Sequence, residues 1–427
     1  NNRIVTILLV LNYMIGSGIL NTPQTFRDSG IAATTVLYII ACIAVWLGAV
    51  VLIIAAEASS ANGTGGSLED LEFSVLASRT MGEHGEVLIN ASIVVQNFGA
   101  VCSYILLIGG LTTTMLVEWL GDDASDSVIL PLWTSFYFVA PLMVLLFVLP
   151  PCLVRHFSNL RWLSAFSFVA ISAVVGLVGL GSPSYADAAR ATADHNPGLD
   201  APIVWWNWTG AVAKLGSAVF ALSCAPAALH SYSAMSKRSE SEWSAVVTYA
   251  VLLGGGLCYG TGLMGYLCFR GATEGDILDN FSGGVASFFK ILVVAHLVMY
   301  IPNEFVILRH SAFELAGQDV MMANFCSVAT ATVATLSTIV GLVMVLMMAG
   351  MAQGELFGYV LDLTGGITAS LTSFVIPALA YLKATEHTKG PNTAPMYRVA
   401  CQILAGFGFT IMIVVPGAVM WSAFGKG

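Results

Sequence analysis

Gly16, Ser17 and Gly18 interrupt an apolar run, within the stretch LNYMIGSGILNTP from Leu11 to Pro23. Two glycines around a serine weaken a helix. Asn12, Asn21 and Thr22 add polar groups, and Pro23 removes a backbone donor. A helix opened here would free N–H groups able to hold a carboxylate, with the positive end of the next half-helix aimed at the same point. Carbonyls freed on the preceding half could hold a small cation. The competing reading is a close helix contact, which small residues also permit.

The elements that must carry these residues are membrane spans. Of 427 residues, 57% are hydrophobic and only 10% charged, with a mean hydropathy of +0.83, where a soluble domain carries about 25% charge. Hydropathy gives eleven spans, at about 4–26, 31–56, 86–119, 131–153, 161–181, 209–235, 243–269, 285–308, 325–350, 356–382 and 399–424. The first run makes a poor signal peptide, lacking a following A-x-A site, and a polar tail is expected before Asn1. Ten of the 16 Lys and Arg residues fall on one side, which places the N-terminus inside and the C-terminus on the opposite side.

Between the spans, residues 57–85 predict a Gly/Ser-rich link and an inner amphipathic helix from near Ser67. Residues 182–208 predict an outer loop ending in the aromatic belt WWNW. Asn207 and Asn280 head sequons on the outer side, the second farther from the membrane. No Cys of the eight lies in an outer loop, so no disulfide framework is read. No metal, Walker or nucleophile motif is present, and the chain is not expected to be an enzyme.

A second interrupted span carries most weight. In FALSCAPAALHSYSAM (220–235), Pro226 breaks the sixth run beside the small residues Ser223 and Cys224. Two broken spans at matching places of two five-span halves point to a midplane site in an inverted-repeat transporter. Intramembrane polar groups join the candidates. Asn97, beside Gln96, lies mid-depth in the third span and His296 mid-depth in the eighth. Glu304, two residues after Pro302, is placed for an inner gate with Arg309 or for packing. Asp362, in the tenth, faces an outer vestibule or solvent. His296, Glu304 and Asp362 are the candidates for ion coupling or gating. VMVLMM (343–348) reads as lipid-facing.

The motif NYMIGSGIL (12–20) resembles the first-helix signature of the amino acid–auxin permease family of the APC superfamily, nearest its sodium-coupled neutral amino acid transporter group. VVQNFGAVCSYILLI (94–108), the sixth-span stretch above, YIPNEFVILRHS (300–311) and LFGYVLDLTGGITASLTSFVIPALAYLK (356–383) extend the likeness along the chain. The resemblance implies an all-α LeuT-type fold: a 5+5 inverted repeat (about 4–181 and 209–382) and an eleventh helix (about 399–424). It implies secondary active transport of an amino acid by alternating access, coupled to Na⁺ or H⁺, in the plasma membrane or a lysosomal or vacuolar one. Gly16, Ser17 and Gly18 match the family's substrate-carboxylate turn. Asn12 matches its polar residue at the substrate and sodium sites, and Phe220 to Cys224 its unwound substrate-facing stretch.

One departure is clear: no Ser or Thr lies among His296 to Ile301 before Pro302, where sodium-coupled members carry a threonine. Transport is therefore expected to be Na⁺-independent and driven by protons, with His296 as carrier. A neutral substrate fits FALSCA, which has no acid or base. The alternative is a transporter-like amino acid sensor or structural subunit of a membrane complex that has lost coupling. The expected partners are a small amino acid and the bilayer, with no nucleic acid and no organic cofactor.

Overall fold

Inside hydrocarbon every backbone polar group needs a partner within the chain, so a sequence this apolar folds into helices. The structure is a computed structural model and describes residues 2–61, 72–120, 133–154, 161–192, 196–386 and 395–424. The first span is a bent pair, α1 (Arg3–Met14) and α2 (Gly18–Ser29), crossing at 60°. It is followed by α3 (Ile31–Ala61), α4 (Phe73–Met81), α5 (Glu83–Leu120), α6 (Phe136–Cys152) and α7 (Arg161–Arg190). The sixth span is again a pair, α8 (Trp208–Leu222) and α9 (Ala225–Ser233). Then come α10 (Glu240–Phe269), α11 (Gly284–Leu315), α12 (Phe325–Met348), α13 (Gln353–Ala384) and α14 (Pro395–Phe424).

Among the described residues, nine helices (α8 and α9 taken as one) are long and apolar enough to cross a bilayer. The bent pair makes a tenth crossing, and the shorter apolar α6 occupies the fourth expected place. Lipid-side positions show as expected: Ile43, Leu180, Val345, Met348 and Ile413 are exposed apolar side chains. Trp205, Trp206 and Trp208 are exposed, with the last two rings stacked at 6.0 Å, as an interfacial belt requires.

Two expectations are corrected. The fifth span does not end at 181: α7 runs on to Arg190 through SPSYADAAR. Pro183 is accommodated within it, and the alanines beyond favour helix. The inner helix begins at Phe73 rather than near Ser67, and Ser67 lies outside the described residues. Both sequon asparagines are tied to backbone, Asn207 donating to the Asp28 carbonyl and Asn280 to the Ala272 carbonyl, each at 2.8 Å.

Small residues set how closely the broken spans are held. A Cβ on Gly216 of α8 would overlap the Asp362 carbonyl of α13, and one on Gly365 would overlap the Gly216 carbonyl. Backbones in direct contact are what small-residue stripes achieve between membrane helices. Two π-turns in α13, Gly365–Ala369 and Leu371–Val375, lie on this surface.

A buried charge network ties the same elements on the side opposite the N-terminus. Lys214 of α8 is 3% exposed and donates to Asp362 at 2.9 Å and to Gln24 of α2 at 3.2 Å. Asp362 also accepts from the Ser217 N–H at 3.2 Å, and Asp28 lies 3.6 Å from the lysine. Nearer the surface, Arg27 binds Glu355 at 2.7 Å and Asp28 at 2.8 Å. Removing one partner of a buried pair strands the other charge, costing about 3–5 kcal/mol, whereas an apolar pair of similar volume is close to neutral. Lys214→Met is therefore expected to lower the unfolding midpoint in detergent by several degrees, and Lys214→Met/Asp362→Leu to recover most of that loss. A double variant less stable than the single one would refute the assignment.

The turn Ile277–Asn280, between α10 and α11 and outside the spans, is capped by the buried Asp276 and carries the half-buried Asp279. Burial pushes the Asp276 carboxyl well up, with Asp279 adding to it. Burial also raises Asp279 to about 6, against the pull of Lys290. The folded values exceed the ordinary ~3.9, so the fold holds these protons more tightly than the unfolded chain. The stability Asp279 contributes is full below about pH 4 and is lost as pH rises through about 6, and Asp276 acts in the same direction. Amides of residues 273–283 are expected to be better protected at pH 5 than at pH 7, after correction for intrinsic exchange, and Asp279→Asn to flatten the difference. Equal protection in the wild type at both pH values would exclude it.

Candidate functional site

Both breaks fall where the sequence places them. After Met14, Ile15 leaves helical geometry, its N–H still reaching the Leu11 carbonyl at 2.9 Å, and Gly16 donates back to Met14 at 3.0 Å. The first turn of α2 closes weakly, with Ile19 on Gly16 at 3.4 Å and Leu20 on Ser17 at 3.0 Å. The N–H groups of Ser17 and Gly18 have no backbone acceptor, the open donors an anion would use at this helix start. In the sixth span α8 ends at Leu222, Ser223 and Cys224 are non-helical, and Pro226 sits in the first turn of α9, where its missing N–H costs nothing.

The two openings border one cavity of about 40 Å³, lined by Gly16, Gly18, Gln96, Asn97, Phe220, Ser223 and Glu304 among others. Here α2, α5, α8 and α11 converge. Gly18 lies against α8: a Cβ would sit 3.0 Å from the Ala221 Cβ and 3.1 Å from its Cα. Gly16 is freer, its Cβ direction meeting only the Tyr104 hydroxyl at 3.7 Å. The Ser223 and Ser373 hydroxyls bond at 2.8 Å, and Thr372 donates to Gln96 at 3.0 Å, so α13 braces the far wall.

Other candidates lie apart from this cavity. Asn12 is one residue before the cavity-facing Tyr13 and Met14, and a helical step of about 100° turns it away. It borders a separate cavity of about 100 Å³ with Ile15, Ile171, Ser172, Val175 and Leu257. Ser17 is buried within the turn and Cys224 is buried at the start of α9, neither lining the cavity. His296 is buried against Tyr300, their rings 5.4 Å apart. Asp362 sits in the Lys214 network. Glu304 faces the cavity, while Arg309, its expected gate partner, donates to the carbonyls of Cys152 at 2.8 Å and Val154 at 3.1 Å and to Thr332 at 3.1 Å.

Sequence reasoning missed three lining residues: Tyr13, Tyr104 and Tyr300. Tyr104 and Tyr300 meet edge to face at 5.9 Å. The available signal was the Tyr300, Glu304 pair at i, i+4, which shares one helix face. The cavity wall thus combines open N–H donors, amides of α5, three phenols and one carboxyl.

Comparison with known proteins gives the family and the fold. The family model described as "Transmembrane amino acid transporter protein" matches residues 3–420. The mouse putative sodium-coupled neutral amino acid transporter 11 is 23% identical over 95% of this chain and 82% of its own length. The human protein of the same name is 24% identical over 82% and 80%. Bovine sodium-coupled neutral amino acid transporter 7 is 24% identical over 67% and 60%. Among solved structures, the inward-facing conformation of Mhp1 covers 99% of this chain and 91% of its own at a TM-score of 0.56 and 12% identity. At that identity the likeness speaks for fold alone, and the fold is of the LeuT type. With the family model spanning almost its whole length, this integral multi-pass chain belongs to the transmembrane amino acid transporter family.

Proposed function

We propose that this protein carries neutral amino acids across a membrane by alternating access, with the substrate held between the two broken spans. The face bearing the N-terminus is cytoplasmic in this reading. The observation that carries it is the cavity shared by the Gly16–Gly18 turn and the end of α8, where Phe220, still helical, and Ser223, in the break, both line it. A zwitterion fits such a place. Its carboxylate takes the open N–H groups of Ser17 and Gly18 at the positive end of α2. Its ammonium takes carbonyls exposed where α8 stops. The apolar wall of Phe220 and Ala221 suits an uncharged side chain, and the relatives' names point to the same substrate class.

The two glycines give different tests. At Gly18 a larger side chain drives α2 and α8 apart, so loss of function there would mix binding with packing. At Gly16 a side chain grows into the cavity toward the Tyr104 hydroxyl without meeting backbone. Gly16→Val is expected to keep the unliganded unfolding midpoint while weakening binding at least about tenfold, a change of ~1.4 kcal/mol. Thermal-shift titration of the purified protein with a panel of neutral L-amino acids reads both quantities, since ligand stabilisation follows occupancy of the native state. Unchanged stabilisation in Gly16→Val by an amino acid that stabilises the wild type would place the carboxylate elsewhere.

A further inference from the structure

Glu304 is 5% exposed and lines the cavity, and none of the cavity's lining residues is Lys, Arg or His. No salt bridge reaches it among the described residues. Tyr300, one turn earlier on α11, lines the same side of the cavity. Tyr13 from the end of α1 and Tyr104 from α5 complete a ring of phenols on the same cavity. A buried charge left without a partner is costly, so a carboxyl in this position is stable either as the neutral acid or with a cation beside it. The carboxylate-binding turn cannot supply one, because it offers only N–H dipoles.

From this arrangement we propose that Glu304 is the coupling site of the transport cycle, taking up one proton with each substrate molecule and releasing it on the other side. The step is a simple protonation: a proton adds to a Glu304 carboxylate oxygen from water on one face and leaves to water on the other. The inference rests on the transporter reading above. It moves the proton from His296, which does not line the cavity and packs on Tyr300, to a carboxyl that does line it.

The surroundings favour a proton over a bulkier cation. The titratable groups that share the cavity with it are Tyr13 from α1, Tyr104 from α5 and Tyr300 on α11 itself, while Cys224, before α9, lies behind Tyr13. On α11, His296 lies two turns before and Arg309 one turn beyond, the latter bonded to α6 carbonyls. The other neighbours of α11 add little. At membrane depth α7 has no ionisable side chain from Val169 to Ser184, and α6 offers only Tyr137 and Cys152. The three phenols beside the carboxyl can donate to an oxyanion and relay a proton. The substrate's ammonium has its own acceptors across the cavity, where α8 ends.

The test uses full-length protein in proteoliposomes and radiolabelled neutral L-amino acids. Counterflow without any gradient reports the carrier. Accumulation under an inwardly directed proton gradient (acid outside), with choline replacing Na⁺, reports coupling. Wild type is expected to show both, with the gradient raising accumulation several-fold. In Glu304→Gln the remaining counterflow is expected to lose all dependence on pH, with no gradient-driven accumulation. Calorimetry in buffers of different ionisation enthalpy is expected to show proton uptake on substrate binding in wild type. Glu304→Asp, which keeps a carboxyl, is expected to retain that uptake at a shifted pH and covers the case in which the Gln variant fails to fold.

Gradient-driven accumulation in Glu304→Gln would overturn the proposal. So would wild-type accumulation driven by Na⁺ and indifferent to pH. Loss of substrate binding in Glu304→Gln, restored in Glu304→Asp without proton uptake, would overturn it as well, assigning the carboxylate to the substrate's ammonium. Absence of counterflow in wild type would instead overturn the transporter reading.

Discussion

A peptide group stripped of its hydrogen bond inside a membrane costs several kcal/mol, and this constraint governs the architecture around both breaks. The chain opens its first and sixth spans for very few residues and repairs most of the damage locally. Ile15 still reaches Leu11, Gly16 folds back on Met14, and Ser223 reaches the Phe220 carbonyl at 3.3 Å. What stays open, chiefly the donors of Ser17 and Gly18, sits in the protein interior, away from lipid. Helices α5, α8 and α11 border this point, with Gln96, Asn97, Ser223 and Glu304 lining the cavity beside it.

Close packing follows from the same need. Half-helices that end in mid-membrane bury little area of their own, so neighbours must be near enough to shield their ends. Gly18 against Ala221 and Gly216 against Gly365 bring backbones into contact. Buried polar groups then add direction. Lys214 and Asp362 join α8 to α13 and, through Gln24, to α2. Such networks are weak sources of net stability, but their partners have few alternative arrangements.

Much of this was legible in the sequence where a residue carries its own backbone consequence. Gly-Ser-Gly and Pro226 weaken helices wherever they stand, and both breaks were readable from them. Residues whose role depends on facing were less legible. Asn12 drew attention as a polar group in an apolar run, yet one helical step separates it from the cavity, and Tyr13 has the position instead. Tyrosines in spans read as filler until three helices bring them together. The Lys214–Asp362 pair spans 148 positions, and no local pattern announces it. Hydropathy ended the fifth span near 181, but the alanine-rich stretch beyond Pro183 carries the helix onward to Arg190.

The contact between Gly216 and Gly365 sets which parts can bend. Two backbones pressed together without side chains between them cannot slide or separate by small amounts without opening a void. Packed surfaces of this kind resist gradual shear. Any rearrangement that bares the cavity to one face must therefore carry α8 and the adjoining stretch of α13 as one lever. The fulcrum falls on the two residues Ser223 and Cys224 that part α8 from α9.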